Sequence, residues 1–141
     1  MLENFDTFRK KVLLIDSTPY LLEYYSYLLR TKFDASDVLV LPFSDESEAI
    51  EYSHTSSSGD VLCIVNELRM ENVENMKFGK HLRSYWPDCL IFLQTLSRID
   101  DVGKYRKQCD KNNVMILDKT DSMKHIIIPW IQEQLEKVLV S

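Results

Sequence analysis

Five short apolar runs punctuate the chain: residues 11–15 (KVLLI), 37–42 (DVLVLP), 61–65 (VLCIV), 89–94 (CLIFLQ) and 114–117 (VMIL). Each is too short for a helix and lacks a regular polar alternation, the pattern of strands covered on both faces. Between the runs the spacing changes to a helical period. Over 19–30, Leu21, Leu22, Tyr25, Leu28 and Leu29 share one face, with Thr18 as N-cap and Pro19 at the first helical position. Ser44, with Asp45 and Glu48, predicts a capped helix start running to about residue 52. Within ten or so residues of Glu67 another helical pattern begins and carries Met76, Phe78, Leu82 and Trp86. A helix over 100–109 buries Val102, Tyr105 and Cys109, and a last one over 122–138 turns Ile127, Trp130, Ile131, Leu135 and Val138 inward. Pro129 lies inside that last pattern and is expected to kink it or delay its start. Residues 54–60 (HTSSSGD) read as a loop, and residues 1–10 as a polar arm with isolated Leu2, Phe5 and Phe8.

Strands alternating with helices predict a three-layer α/β domain over residues 11–141, built on a parallel five-stranded sheet. Right-handed crossovers leave few strand orders, of which the flavodoxin-like 2-1-3-4-5 is the common one for five strands. The length of 141 residues suits one domain, and 45% hydrophobic with 28% charged residues is an ordinary globular balance. Cys63, Cys89 and Cys109 are odd in number and widely spaced, which predicts reduced core thiols rather than a disulfide or metal framework. No membrane span or cleavable leader is present in the pattern, so the expected location is cytoplasmic. A net charge of −5 disfavours nucleic acid as a partner. Two local charge clusters, the acids Asp45, Glu46, Glu48 and Glu51 and the bases Lys104, Arg106, Lys107 and Lys111, read as solvated helix faces. With three glycines and no GxGxxG or GxxxxGK[ST], nucleotide-binding forms of this architecture are disfavoured. His54, His81 and His125 fall on different elements and are not expected to converge on a metal.

In an open parallel sheet the chemistry collects beyond the carboxyl ends of the strands. The polar residues there are Asp16 and Ser17 after the first run, Asn66 and Glu67 after the third, Thr95 after the fourth and Lys119 after the fifth. In this order and context they resemble the receiver domain of bacterial response regulators, a likeness that covers essentially all of residues 11–140. The stretch ELRMENVENMKFGKHLR, from Glu67, is similar to the receiver pattern of a phosphoacceptor aspartate, a Met-Pro-Gly-Met-Asp-Gly turn and an amphipathic helix. The resemblance implies that Thr95 stands at the switch Thr/Ser, Lys119 at the site lysine and Ile116 at the aromatic switch position of the fifth strand.

The departures from that pattern bear on function. Where receivers carry two acids that help to bind Mg²⁺, this chain has Asp16-Ser17; where they carry the phosphoacceptor aspartate it has Glu67, or Asn66 if the register slips by one. Phosphoryl transfer to a carboxylate needs Mg²⁺ to neutralise the equatorial oxygens, and a neutral Ser17 hydroxyl weakens such a site. Glutamate moves the nucleophilic oxygen by more than ~1 Å, enough to damage in-line attack. The expected protein is therefore a stand-alone pseudo-receiver with no catalytic residue and no cofactor, Mg²⁺ binding being weak at most. Glu67 is expected either to be held by Lys119 and Thr95 in a constitutive pocket or to point to solvent at the strand end. With the chain ending at Ser141, output is expected in trans, through a signalling partner or a second copy. The docking face implied by the resemblance comprises the fourth helix, fifth strand and fifth helix, here Lys104, Tyr105, Arg106, Lys107 and Lys124, which suits an acidic surface. The competing expectations are a functional phosphoacceptor receiver that uses Mg²⁺ and an acid of the same pocket, and a flavodoxin-like cofactor binder. Of Tyr20, Tyr24, Tyr25 and Tyr27, at least one is expected on the surface as a partner anchor.

Overall fold

The computed structural model describes residues 9–55, 60–68, 80–95, 113–118 and 122–140. Its elements are β1 (Lys10–Ile15), α1 (Pro19–Lys32), β2 (Val38–Phe43), α2 (Glu46–Ser53), β3 (Val61–Glu67), α3 (Lys80–Arg83), β4 (Leu90–Thr95) and β5 (Val114–Asp118). A π-helical segment, Met123–Ile127, leads into the last helix, α4 (Ile128–Val140). All strand pairs are parallel and the sheet order is β2-β1-β3-β4-β5, as the alternation of runs predicts. Strand boundaries differ from the apolar runs by a residue at several ends. Lys10 is already in β1, while Glu67, Thr95 and Asp118 are the last residues of their strands rather than the residues beyond them.

Consecutive strand residues point to opposite faces of the sheet, so an unbroken apolar run feeds two cores at once. Val12, Leu14, Cys63, Val65, Phe92 and Leu117 face one side, where Tyr25 and Leu29 of α1 and Ile127 and Ile131 near the start of α4 cover them. Leu13, Ile15, Ile64, Ile91 and Leu93 face the other, under Ala49 of α2, Leu82 of α3 and Trp86. Phe92, Ile64 and Ile131 are wholly buried, and each side chain of this kind contributes about 1.5–3 kcal/mol through its removal from water. Cys63 and Cys89 are free and buried in these cores, and burial pushes both thiols upward from their ordinary range. Lys11 also belongs to the second face, where its ammonium sits 5.6 Å from the centre of the Tyr52 ring.

The helix starts carry two corrections to the sequence reading. In α1, Pro19 takes the first position as expected, yet the Thr18 side chain caps nothing; instead the Thr18 N–H donates to Asp16 Oδ1 at 2.9 Å. In α2 the N-cap is Asp45, whose Oδ1 accepts the Glu48 N–H at 2.9 Å, and not Ser44. Ser44 stands one residue earlier and donates its N–H and hydroxyl to the Glu48 carboxylate at 2.9 and 2.6 Å. These bonds hold the Glu48 carboxyl below the usual glutamate range. Pro129 delays the last helix. With no N–H to give to the carbonyl four residues back, it follows a wider turn in which the Ile128 N–H reaches the Met123 carbonyl, and the α-helical register begins only there.

Candidate functional site at the carboxyl ends of the strands

Strand alternation decides what each polar residue of β3 meets. In the parallel register Ile15 of β1 lies opposite Asn66, so the residues that follow them, Asp16 and Glu67, stand level at the sheet edge. Asn66 points to the α2 side, where its side-chain amide donates to Glu46 Oε1 at 2.7 Å and where it is 4% exposed. Glu67 points to the α1 side and meets the turn that opens α1. Its Oε2 accepts both the Ser17 backbone N–H at 2.9 Å and the Ser17 hydroxyl at 2.7 Å. A carboxylate oxygen held by two donors of this kind is fixed in direction as well as in charge.

Asp16 is almost fully buried and accepts the Thr18 N–H through Oδ1. Its charge also reaches Tyr25. Burial raises the phenol of Tyr25 above its ordinary range, and the Asp16 carboxylate raises it further. The cleft between β1, β3 and the start of α2 has a volume of about 570 Å³, and Ser17, Asp45, Glu46, Asn66 and Glu67 line it. Glu46 and Asp45 therefore belong to the site, although the acidic run at 45–51 reads from sequence as a solvated face. The available signal was the spacing of two residues between the end of β2 and the first residue of α2, which brings that helix start to the sheet edge.

Of the residues expected at the site, the structure gathers Asp16, Ser17, Asn66 and Glu67. Thr95 ends the neighbouring strand opposite Asp118 and is 2% exposed, one position beyond Gln94, the residue that pairs with Glu67. Gln94 uses its side-chain amide on the buried Ser122 hydroxyl at 2.8 Å. Ile116 is half-buried on β5 and packs against the α2-side core. Lys124 is exposed on the π-helical segment. Lys119, the expected holder of Glu67, lies outside the described residues, as do Lys104, Tyr105, Arg106 and Lys107. Three tyrosines of α1 are exposed, Tyr20, Tyr24 and Tyr27, while Tyr25 is in the core. No group of three or more His, Cys, Asp or Glu side chains is arranged to hold a metal among the described residues, and no helix there is long and apolar enough to cross a membrane.

The order of the strands, the helices on both faces and the polar edge define the receiver-type class of α/β domain, and solved structures of that class match this chain. No protein-family model matches it, and neither does any curated protein. A response regulator receiver domain protein from Clostridium thermocellum superposes with a TM-score of 0.66 at 15% identity, over 93% of this chain and 98% of that one. The receiver domain of the stress response regulator RcsB from Escherichia coli, in its non-phosphorylated form, gives 0.63 at 14% identity over 92% and 94%. The chemotaxis protein CheY4 of Vibrio cholerae gives 0.58 at 16% identity over 92% and 98%. The chain thus has the fold of response regulator receiver domains.

Proposed function

We propose that this chain is a pseudo-receiver: a signalling module that works through protein–protein contact without being phosphorylated, with Glu67 at the phosphoacceptor position. One observation carries the reading. Glu67 Oε2 already accepts two hydrogen bonds from Ser17, the residue that stands where a receiver has a metal-binding acid. Nucleophilic attack needs a lone pair aligned with the leaving group, and the two donors fix the direction of this carboxylate and draw on its charge. The remaining side chains fit a Mg²⁺ site of the receiver kind poorly. Asp16 is turned to Thr18, Asn66 presents its amide N–H₂ to Glu46, and Ser17 brings no charge. The Ser17–Glu67 pair replaces an ion-dependent switch by a direct hydrogen-bonded link between β3 and the start of α1.

No catalytic residue and no cofactor follow from this reading. Partners are other signalling proteins or a second copy, and exposed Lys124 is the described member of the basic face suited to an acidic surface. The test is intact-mass analysis after incubation with acetyl phosphate and Mg²⁺. The chain is expected to keep its mass, and the Ser17→Asp/Glu67→Asp double variant to gain about 80 Da on the restored aspartate. A gain of that size on an acidic residue of the unmodified chain overturns the proposal.

A further inference from the structure

The other edge of the sheet carries a second cavity. Beside the amino ends of β1, β3 and β4 lies a cleft of about 450 Å³, within the range of small-molecule sites. Leu62 and Leu90, half-buried at their strand starts, give it apolar walls, and Trp130 of α4 adds an indole. That ring is fixed in advance, because it packs edge-to-face on Phe92 with centroids 5.3 Å apart and planes at 81°.

The rim is held by one guanidinium. Arg83 donates through one nitrogen to the carbonyls of Trp86 and Cys89 at 2.9 and 2.6 Å, and through the other to the carbonyl of Asn113 at 2.9 Å. The loop before β4 and the residue before β5 are thereby tied together, with Asn113 in the left-handed region at φ 58°. A wall made this way is in place before any ligand arrives, which lowers the ordering cost of binding.

Charge selects the occupant. Lys10, half-buried at the start of β1, lines the cleft and makes no ion pair with any described residue. Asp88 lines it before β4, two strands away, a separation of roughly 10 Å at the usual strand spacing. One cation at one lip and one anion at the other admit a single acid group beside Lys10 and repel a polyanion such as a nucleotide. We propose that this cleft binds a small aromatic monoanion, its rings on the Trp130 indole and its acid group on Lys10. Because it lies at the edge opposite Glu67, its occupancy is independent of the Ser17–Glu67 link.

The test is an NMR titration of the ¹⁵N-labelled chain with naphthalene-2-sulfonate. Saturable shifts are expected for residues 61–62, 88–90, 113 and 130–134, with at least fivefold weaker binding to Lys10→Glu and unchanged binding to Glu67→Ala. The neutral probe 2-naphthol is expected to bind the unmodified chain at least fivefold more weakly than the sulfonate, a comparison that needs no variant. Shifts centred on any other surface, equal affinity for the two probes, or no saturation by millimolar sulfonate each overturn the proposal.

Discussion

The two edges of the sheet are made from the ends of the same strands, yet they satisfy their polar groups in opposite ways. At the carboxyl edge the side chains bond to one another and to nearby backbone N–H groups: Ser17 to Glu67, Asn66 to Glu46, Thr18 to Asp16 and Ser44 to Glu48. At the amino edge a single side chain, Arg83, fastens three backbone carbonyls, while Lys10 and Asp88 stand apart on the rim of an open cleft. A carboxylate oxygen that accepts from donors on another element is suited to holding two elements together. A charge left open beside a preformed apolar wall is suited to recognising something else.

The largest expected effect that bears on this contrast is at Arg83. Replacing it by Met keeps part of the aliphatic stem but leaves three carbonyls without their charged donor. Hydrogen bonds to charged groups contribute about 1.5–3 kcal/mol each, less at a half-exposed site, so a total loss of about 3 kcal/mol is expected in urea unfolding. A loss below about 1 kcal/mol would mean that the amino edge is held by its apolar contacts and not by the guanidinium.

At the carboxyl edge the expected change is smaller. Ser17→Ala removes the 2.7 Å hydroxyl bond to Glu67 but keeps the backbone N–H bond, at an exposed turn. A loss of about 1 kcal/mol is expected, and a double-mutant cycle with Glu67→Ala should return a coupling of similar size. Additive single effects would show that the pair does not act as a link, and the contrast between the edges would lose its first half.

How far the sequence reaches follows the same division. Unbroken apolar runs and helical stripes at a period of 3.6 predict the strands, their order and most of the core, because burial on both faces leaves no polar residue inside a run. The Glu67–Ser17 bond depends on strand register rather than on pattern. Both departures from the receiver pattern were visible one by one, but only the register of β1 against β3 shows that the added methylene of Glu67 reaches toward the hydroxyl that replaces an acid. Lys119, the partner expected from the attraction of opposite charges, lies outside the described residues, whereas the Ser17 donors are local and neutral. Glu46 is hidden for a related reason: an acid at a helix start reads as dipole complement, and its bond to Asn66 joins residues 20 positions apart in the chain. The amino-edge cleft has no counterpart in the motif, since Lys10, Leu90 and Trp130 meet only through the crossovers.

Lys10 gives a sharper test with a smaller stability effect. A rim cation without an ion pair among the described residues contributes little to folding, so Lys10→Glu is expected to stay within about 0.5 kcal/mol of the parent in urea unfolding. A cost several times larger would mark Lys10 as part of the frame, and the openness of the amino edge would then be false.

The smallest effect is expected at high pH, and it probes whether the charge held inside the carboxyl edge is felt beneath it. Tyr25 is buried against α1's own core face, and its phenol is raised by burial first and by the Asp16 carboxylate second. A phenol whose folded pKa exceeds the unfolded one keeps its proton in the native state after the unfolded chain has begun to lose it. Its contribution to stability is therefore complete below the ordinary phenol value of about 10 and declines as pH rises from there through the folded pKa. In a titration followed by tyrosine absorbance, exposed Tyr20, Tyr24 and Tyr27 should ionise before Tyr25. Asp16→Asn should bring Tyr25 part of the way back toward them and flatten the alkaline fall in stability, while Lys10→Glu at the far edge should leave both unchanged. If Asp16→Asn moves nothing, burial alone governs Tyr25, and the acid serves only the turn at Thr18.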